Sequence, residues 1–383
     1  MIEQANRLKA VEEYYFSKKL REVSDLIKSG ENIINMGIGS PDLFPSKEVI
    51  EALSVSLNDQ FAHKYQSYQG LIELREAISD FYLKFFKVSC NPDNEVLPLM
   101  GSKEGIMHIS LAFLNPGDEV LIPNPGYPTY LSVTKLVEAK PIFYNLSKKN
   151  NWFPDLEILE NQDLSKVKIM WVNYPHMPTG VSASLKQFEE LVLFAKKHKI
   201  LLINDNPYSF ILNNDFVSLL SVKNSLGFAM ELNSLSKSFN LSGWRVGMLI
   251  GSKDNISKVL KVKSNMDSGM FYGIQKGAIK ALSLKESWFE SINLIYNKRR
   301  KLIWELAALL GCEFDKESKG LFIWAKLPSK IKSSENFIDQ ILKDKKIFIA
   351  PGTIFGSNGE GYIRFSLCIE ESKIIEAIKR LKK

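Results

Sequence analysis

Cysteine and histidine are scarce in this chain of 383 residues, with three of the first and four of the second. Cys90, Cys312 and Cys368 stand far apart with no CxxC spacing, and the histidines form no HExxH pair. Neither a zinc centre nor a disulfide framework is therefore expected. No apolar run is long enough to span a bilayer, and the opening residues, MIEQANRLKAVEEYYFSKKL, are charged and helical in pattern rather than signal-like. No membrane partner is expected, and the cytoplasm is the expected compartment. Repeats and low-complexity stretches are also missing. The formal charge of +7 comes from scattered lysines, thickest in short groups such as Lys196, Lys197 and Lys199. Nucleic-acid binding needs a basic stripe or patch with readers, and none is visible.

What remains is an ordinary globular composition, 45% hydrophobic and 24% charged, long enough for one large core and a smaller one. Apolar runs at Val120 to Ile122, Lys140 to Tyr144, Val167 to Asn173 and Ile200 to Ile203 read as buried strands. Helical stretches such as Leu185 to His198 alternate with them. That alternation predicts an α/β fold, a large domain with a mostly parallel, doubly wound sheet over residues 46–270. After Gly251 the pattern changes to a helix from Asn255 to Asn265, a long helical stretch from Ile274 to Leu310, then LFIWAKL, a helix from Glu335 to Asp344, and GYIRFSL. This reads as a smaller α+β domain built from residues 1–45 and 271–383, which an amphipathic helix over the first thirty residues joins.

The chemistry concentrates in residues 228–251, FAMELNSLSKSFNLSGWRVGMLIG. A lysine in a turn between two buried strands must reach water, find a counter-charge, or lose its proton, and the last makes Lys237 a nucleophilic amine. Upstream, ILLINDNPYSF ends a strand in Asp205, with Tyr208 just beyond. If both strands are parallel neighbours, Asp205 and Lys237 emerge from one carboxyl edge, where open α/β sheets hold ligands. A carboxylate facing a lysine across a crevice suits pyridoxal phosphate, whose aldehyde the lysine holds and whose ring nitrogen the carboxylate keeps protonated. VLPLMGSKEGI places Ser102 and Lys103 at a helix N-terminus, a site for an anion, although Ser102 before Glu104 also suits simple capping. Tyr127, in PNPGYPTY, sits where an aromatic ring can stack on a ligand. Gly37 and Gly39 mark either a tight turn or a close backbone approach. Arg364 alternates with Ile363 and Phe365, so it points away from them and is free to fork onto a carboxylate.

SLSKSFNLSGWRVG and DNPY resemble the cofactor-lysine segment and the ring-nitrogen aspartate of the fold-type I, class I/II aminotransferases. The resemblance runs in family order from MGIGSPD to YIRFSLC, and GSKEGI, PNPGYPTY and KSNMDSGMF lean towards the LL-diaminopimelate aminotransferase branch and its unassigned relatives. It implies catalytic roles for Lys237, Asp205 and Tyr208, the last a phenol on the ring's O3′. Ser102, Lys103, Ser234, Ser236 and Arg245 are implied as phosphate ligands, Tyr127 as the stacking ring, and the Gly39 backbone with Arg364 as holders of the substrate α-carboxylate. Tyr65, five residues before Gly70, is implied to reach across a homodimer interface to the other subunit's cofactor phosphate. The activity implied is transfer of an amino group between an L-amino acid and a 2-oxo acid. A carbon–sulfur β-lyase on the same scaffold is the alternative, and a non-enzymatic binding protein is a more distant one. One position departs from the family pattern. NYPHMPTG carries Met177 where the family has an asparagine that donates to O3′, and a thioether has no proton to donate. O3′ is then expected to keep Tyr208 alone, or to borrow His176, Asn173 or a water.

Overall fold

The structure is a computed structural model in which residues 2–11 and 15–383 are described. Part of the predicted N-terminal helix, residues 12–14, lies outside them. On either side stand a four-residue helix, Asn6–Lys9, and a longer one, Tyr15–Lys28, so the first thirty residues are not one described helix.

The described strands, in chain order, are β1 (Ile34–Asn35), β2 (Val96–Leu99), β3 (Glu119–Asn124), β4 (Lys140–Asn145), β5 (Val167–Val172), β6 (Leu201–Asp205), β7 (Ala229–Ser234) and β8 (Gly247–Ile250). They continue as β9 (Glu313–Phe314), β10 (Phe322–Lys326), β11 (Ile347–Phe348), β12 (Ala350–Pro351) and β13 (Tyr362–Ser366). Among the described residues the main sheet has seven strands in the order β2-β8-β7-β6-β5-β3-β4. All its pairings are parallel except those of β8, which runs antiparallel to both β2 and β7. The reversal of β8 brings its start back to the edge where β7 ends, so Lys237 and Arg245 share that edge.

Alternation along the strands feeds two cores, one on each face. Met170 and Val172 of β5 join one cluster, Ile169 and Trp171 the other. Helices Ile72–Phe86 and Leu185–His198 cover the first face, and Ser102–Phe113, Pro128–Leu136 and Lys253–Lys263 the second. Helix Leu185–His198 has the expected bounds for a local reason. Ser184 and Gln187 form a capping box at its start, and Lys199 closes it in the left-handed conformation. Strand β4, expected to be buried, is instead an edge strand of the sheet and leaves Phe143 half-exposed. The predicted stretch from Ile274 to Leu310 is two helices, Tyr272–Leu282 and Glu286–Leu309, broken at Ser283 to Lys285.

Strands β12, β13, β10 and β9 form a second sheet in that order, and β1 pairs with β11. Helix Tyr15–Lys28 docks beside this region. Phe16 stacks on Phe348 with ring centroids 6.2 Å apart, and Lys19 pairs with Asp339 at 2.8 Å. No helix of the described residues is long and apolar enough to cross a membrane.

Candidate active site

A cavity of about 470 Å³ opens at the carboxyl edge of the main sheet, between it and the second sheet. The sequence-predicted residues Gly39, Ser102, Lys103, Tyr127, Asp205, Tyr208, Ser234, Ser236, Lys237, Arg245 and Arg364 all line it. Tyr65 does not. It is 91% exposed and lines a separate cleft with residues 268–271.

Lys237 lies in a four-residue helix, Leu235–Ser238, whose first turn is tied by Ser234 Oγ accepting from the Ser236 amide at 3.1 Å. The far end is held by Trp288 Nε1 donating to Ser238 O at 2.8 Å and by Phe239 packed on Phe289. The Lys237 amine donates to Gly39 O at 2.7 Å. Burial, helped by the charges of Arg364 and Arg245, holds its pKa below the usual lysine value, which favours the free amine that a nucleophile or base requires. Gly39 has no room for a side chain, since a Cβ there would stand 2.5 Å from the Phe322 ring. Its loop is fastened by a bidentate pair, buried Arg299 to the more exposed Asp42 at 2.7 and 2.9 Å.

Asp205 ends β6, in register with Leu232 of β7. Its Oδ2 accepts from Tyr130 at 3.0 Å, and its Oδ1 is buried with no hydrogen-bond partner. Burial pushes its pKa up to about 6, against the lowering effects of Tyr130 and of Lys237. Tyr130 is itself held between Asp205 and the Trp171 ring, stacked at 5.0 Å. Tyr208, also buried, has its pKa raised by desolvation.

Arg364 is the other unbalanced charge. Its Nη2 donates to Gly37 O at 2.7 Å and its Nη1 to Met177 Sδ at 3.5 Å, while its Nε is buried without a partner. The guanidinium lies over Phe322 at 4.0 Å and Phe355 at 4.6 Å, which fixes its plane but supplies no carboxylate. Burial lowers its pKa to about 10, so it remains a cation at neutral pH.

At the opposite end, Arg245 takes a left-handed backbone with φ of 59°, and its Nη1 donates to Ser242 O at 2.8 Å and Ser236 Oγ at 3.4 Å. A Cβ on Gly101 would stand 2.2 Å from Arg245 Nη2, and one on Gly247 would stand 2.6 Å from the Ser102 amide. Glycine at both places lets the helix start at Ser102 press against the arginine. Gly101 is the N-cap and offers no side-chain cap, so Ser102 is the first helical residue rather than the cap. Hydroxyls, a guanidinium and a helix N-terminus make an anion cradle.

His176 is not available as a replacement donor at the Met177 position. Its Nδ1 is within 2.8 Å of Thr179 Oγ1, it does not line the cavity, and burial pushes its pKa down to about 3, leaving a neutral ring. Asn173 does line the cavity, yet its amide donates to Asp205 O and its Oδ1 accepts from the Met177 amide.

The sequence profile described as aminotransferase class I and II matches residues 31–381. The chain belongs to this family. A curated aminotransferase relative, the LL-diaminopimelate aminotransferase of Aquifex aeolicus, is 38% identical over 100% of this chain and 99% of its own. Among solved aminotransferase-fold structures, apo-BacF from Bacillus subtilis superposes with a TM-score of 0.95 at 33% identity, covering 100% of this chain and 98% of that one. An aminotransferase from Staphylococcus aureus gives 0.90 at 31%, covering 99% and 98%. This aminotransferase has the fold-type I architecture, uses pyridoxal 5′-phosphate, and moves an amino group between an amino acid and a 2-oxo acid.

The residues present suit that cofactor. Asp205 Oδ1 is a buried acceptor lacking the donor that a ring N–H would supply, and the Gly101–Arg245 cradle suits a phosphate. Sequence reasoning missed Tyr130, the Arg299–Asp42 pair, and the Phe322 and Phe355 walls of Arg364. Only Tyr130 had a local signal, its place three residues beyond Tyr127 in PGYPTY.

Proposed function

We propose that Lys237 is both the attachment point of the cofactor and the base that takes the α-proton of the amino donor. Bound pyridoxal phosphate supplies an aldehyde that accepts the amino group and a ring that accepts electrons. Asp205 would accept the ring N–H, Tyr208 would face O3′, and Ser102, Lys103, Ser234, Ser236 and Arg245 would hold the phosphate, with Tyr127 over the ring. Arg364 would fork onto the α-carboxylate of every donor and acceptor, with the Gly39 backbone beside it. The single observation that carries this reading is the pair of unmet buried groups that share a cavity with Lys237, Asp205 Oδ1 and Arg364 Nε. Desolvated groups without partners are costly, and a zwitterionic substrate with a cationic ring satisfies both.

We further infer a homodimer in which Tyr65 serves the partner's cofactor phosphate, since Tyr65 is 91% exposed and lies outside the cavity that gathers the other site residues. A cytoplasmic location fits three free cysteines. The curated relatives make LL-diaminopimelate the first donor to try. A second donor class, amino acids with apolar side chains, is favoured by the cavity wall of Phe16, Phe322, Ile354 and Phe355. A half-reaction screen with LL-diaminopimelate, aspartate, glutamate, phenylalanine and leucine, read by cofactor absorbance and completed by 2-oxoglutarate, tests both. A preference for LL-diaminopimelate of about tenfold or more supports the first and sinks the second, and the reverse ranking does the opposite. Ammonia release without an acceptor would indicate a lyase instead.

A further inference from the structure

Behind the phosphate cradle lies a cluster of ionisable side chains that the chemistry above does not use. Lys263, the last residue of helix Lys253–Lys263, is only 1% exposed. Its ammonium donates to Asp267 Oδ1 at 2.9 Å and to Tyr68 O at 3.0 Å. Asp267 Oδ1 also accepts from the Gly269 amide at 2.8 Å. Gly269 has φ of 92°, and a Cβ there would stand 2.4 Å from Gln66 O, so the 267–269 turn and the loop carrying Tyr65 are pressed backbone to backbone.

On the other side, Glu104 Oε2 accepts from the Met100 amide at 2.6 Å, and Glu104 Oε1 lies 3.1 Å from His108 Nε2. Ligand atoms of Glu104, His108 and Asp267 fall within 4.8 Å of one another, a grouping able to hold a metal ion. Lys263 decides against that. Its ammonium already sits 2.8 Å from Asp267 Oδ2, so an added cation would be placed beside a fixed positive charge. Burying an ammonium is costly unless it is paired and hydrogen-bonded, and here both conditions are met by groups that join two segments.

We propose that the Lys263–Asp267 pair is a positioning device for the loop that carries Tyr65, and that it acts on the cofactor phosphate of the partner subunit rather than on that of its own chain. This rests on the reading of Tyr65 as a contact made across the dimer. Within one chain the loop leaves Tyr65 exposed and directed at nothing in its own cavity. A rigid anchor under an exposed arm is useful only if the arm has a target elsewhere.

The test uses co-expressed, differently tagged subunits, with retention of pyridoxal phosphate after dilution read as the amount borohydride can fix to Lys237. In the homodimer, Lys263→Met should speed cofactor loss about tenfold, the scale of one charge-assisted contact. Tyr65→Phe should do likewise, and the double variant should be no worse than either alone, because both disable one contact.

Hybrid dimers then decide the direction. Pairing a Lys263→Met subunit with a Lys237→Ala subunit leaves one fixable site, on the Lys263→Met chain, served by an intact loop from its partner. Cofactor retention there should be that of wild type. Placing Lys237→Ala and Lys263→Met in one subunit opposite a wild-type chain should reproduce the tenfold loss. Equal retention in the two hybrids, or the opposite pattern, would overturn the proposal, the latter by showing that the pair acts through Glu104 on its own cradle. If Lys263→Met does not fold, the paired change Lys263→Gln with Asp267→Asn, which removes both charges, enters the same hybrids with the same expected outcomes. Unchanged retention in the Tyr65→Phe homodimer would fail the reading of Tyr65 itself, and the proposal with it.

Discussion

Two carboxylates lie buried on neighbouring strands, Glu231 in β7 and Asp205 at the end of β6, and their surroundings could hardly differ more. Glu231 Oε1 accepts from Tyr82, Asn206 and Ser218, and Oε2 accepts from Asn204 and the Leu219 amide. Asp205 has Tyr130 on one oxygen and nothing on the other. Burial raises both pKa values, so desolvation alone does not separate a structural acid from a functional one. The difference lies in whether the shell is closed. Glu231 is complete without a ligand, whereas Asp205 is complete only with one.

That contrast is testable by breaking each side. Asp205→Ala should have the largest effect, lowering kcat by about a hundredfold to a thousandfold with weaker cofactor retention, because a charge-assisted bond to the ring is lost. Single-turnover kinetics with a saturating donor would measure it, and a loss below about threefold would place the ring elsewhere. The pH dependence has a definite sign. In the cofactor-free protein the folded pKa of Asp205, about 6, lies above its ordinary value near 3.8. Its contribution to the stability of that form is present at low pH and is lost as pH rises through about 6, when an unpartnered carboxylate must ionise. On the proposed reading that carboxylate accepts the cofactor's ring N–H, so affinity of the cofactor-free protein for pyridoxal phosphate should fall as pH drops below about 6. Calorimetry corrected for the titration of free cofactor would check this, and Asp205→Asn should flatten the curve.

Arg364→Lys is expected to raise KM for every amino donor by a similar factor, about tenfold to a hundredfold, with the cofactor spectrum unchanged. Lysine replaces a planar fork clamped between two phenyl rings by a point charge. A loss confined to one donor would make Arg364 a side-chain reader instead. Glu231→Gln inverts the expectation for Asp205. It should cost about 1–3 kcal/mol of stability, since an amide NH₂ would face donors, while kcat and cofactor retention hardly change. Chemical denaturation beside steady-state rates would separate the two, and a large drop in kcat would erase the distinction between closed and open shells.

That Lys237, Asp205 and Arg364 would gather in one cavity was legible in the sequence, and almost nothing of the structural side was. Lys237, Asp205 and Arg364 announce themselves because each is a charge set in or just beyond an apolar strand. The alternation of strands and helices also sufficed for the doubly wound sheet. The closed cage of Glu231 draws on Tyr82, Asn204 and Ser218 from separate elements, and the clamp on Arg364 draws on Phe322 and Phe355. Such groups meet only through strand order, which no local pattern encodes. The same limit explains the misjudged β4, whose apolar residues do not say that it lies at an edge of the sheet, and the break after Leu282, where Ser283 to Lys285 carry no proline or glycine to signal it.

The smallest expected effect belongs to Met177→Asn. Met177 Sδ accepts from Arg364, His176 does not line the cavity, the Asn173 side-chain amide already donates to Asp205 O, and Met177 itself offers O3′ no donor. An asparagine would add one, so the pH titration of the cofactor's absorbance should move down by about one unit. An unmoved titration would mean that Tyr208 or a water already supplies the bond.

The central claim is that Lys237, facing Asp205 across the carboxyl edge of the sheet, carries the cofactor. Borohydride reduction of the purified enzyme followed by peptide mapping tests it most directly. A single modified peptide containing Lys237 is expected, with no modification in Lys237→Ala. A modified peptide containing Lys103 or any other lysine, or no modification in a protein saturated with pyridoxal phosphate, would contradict it.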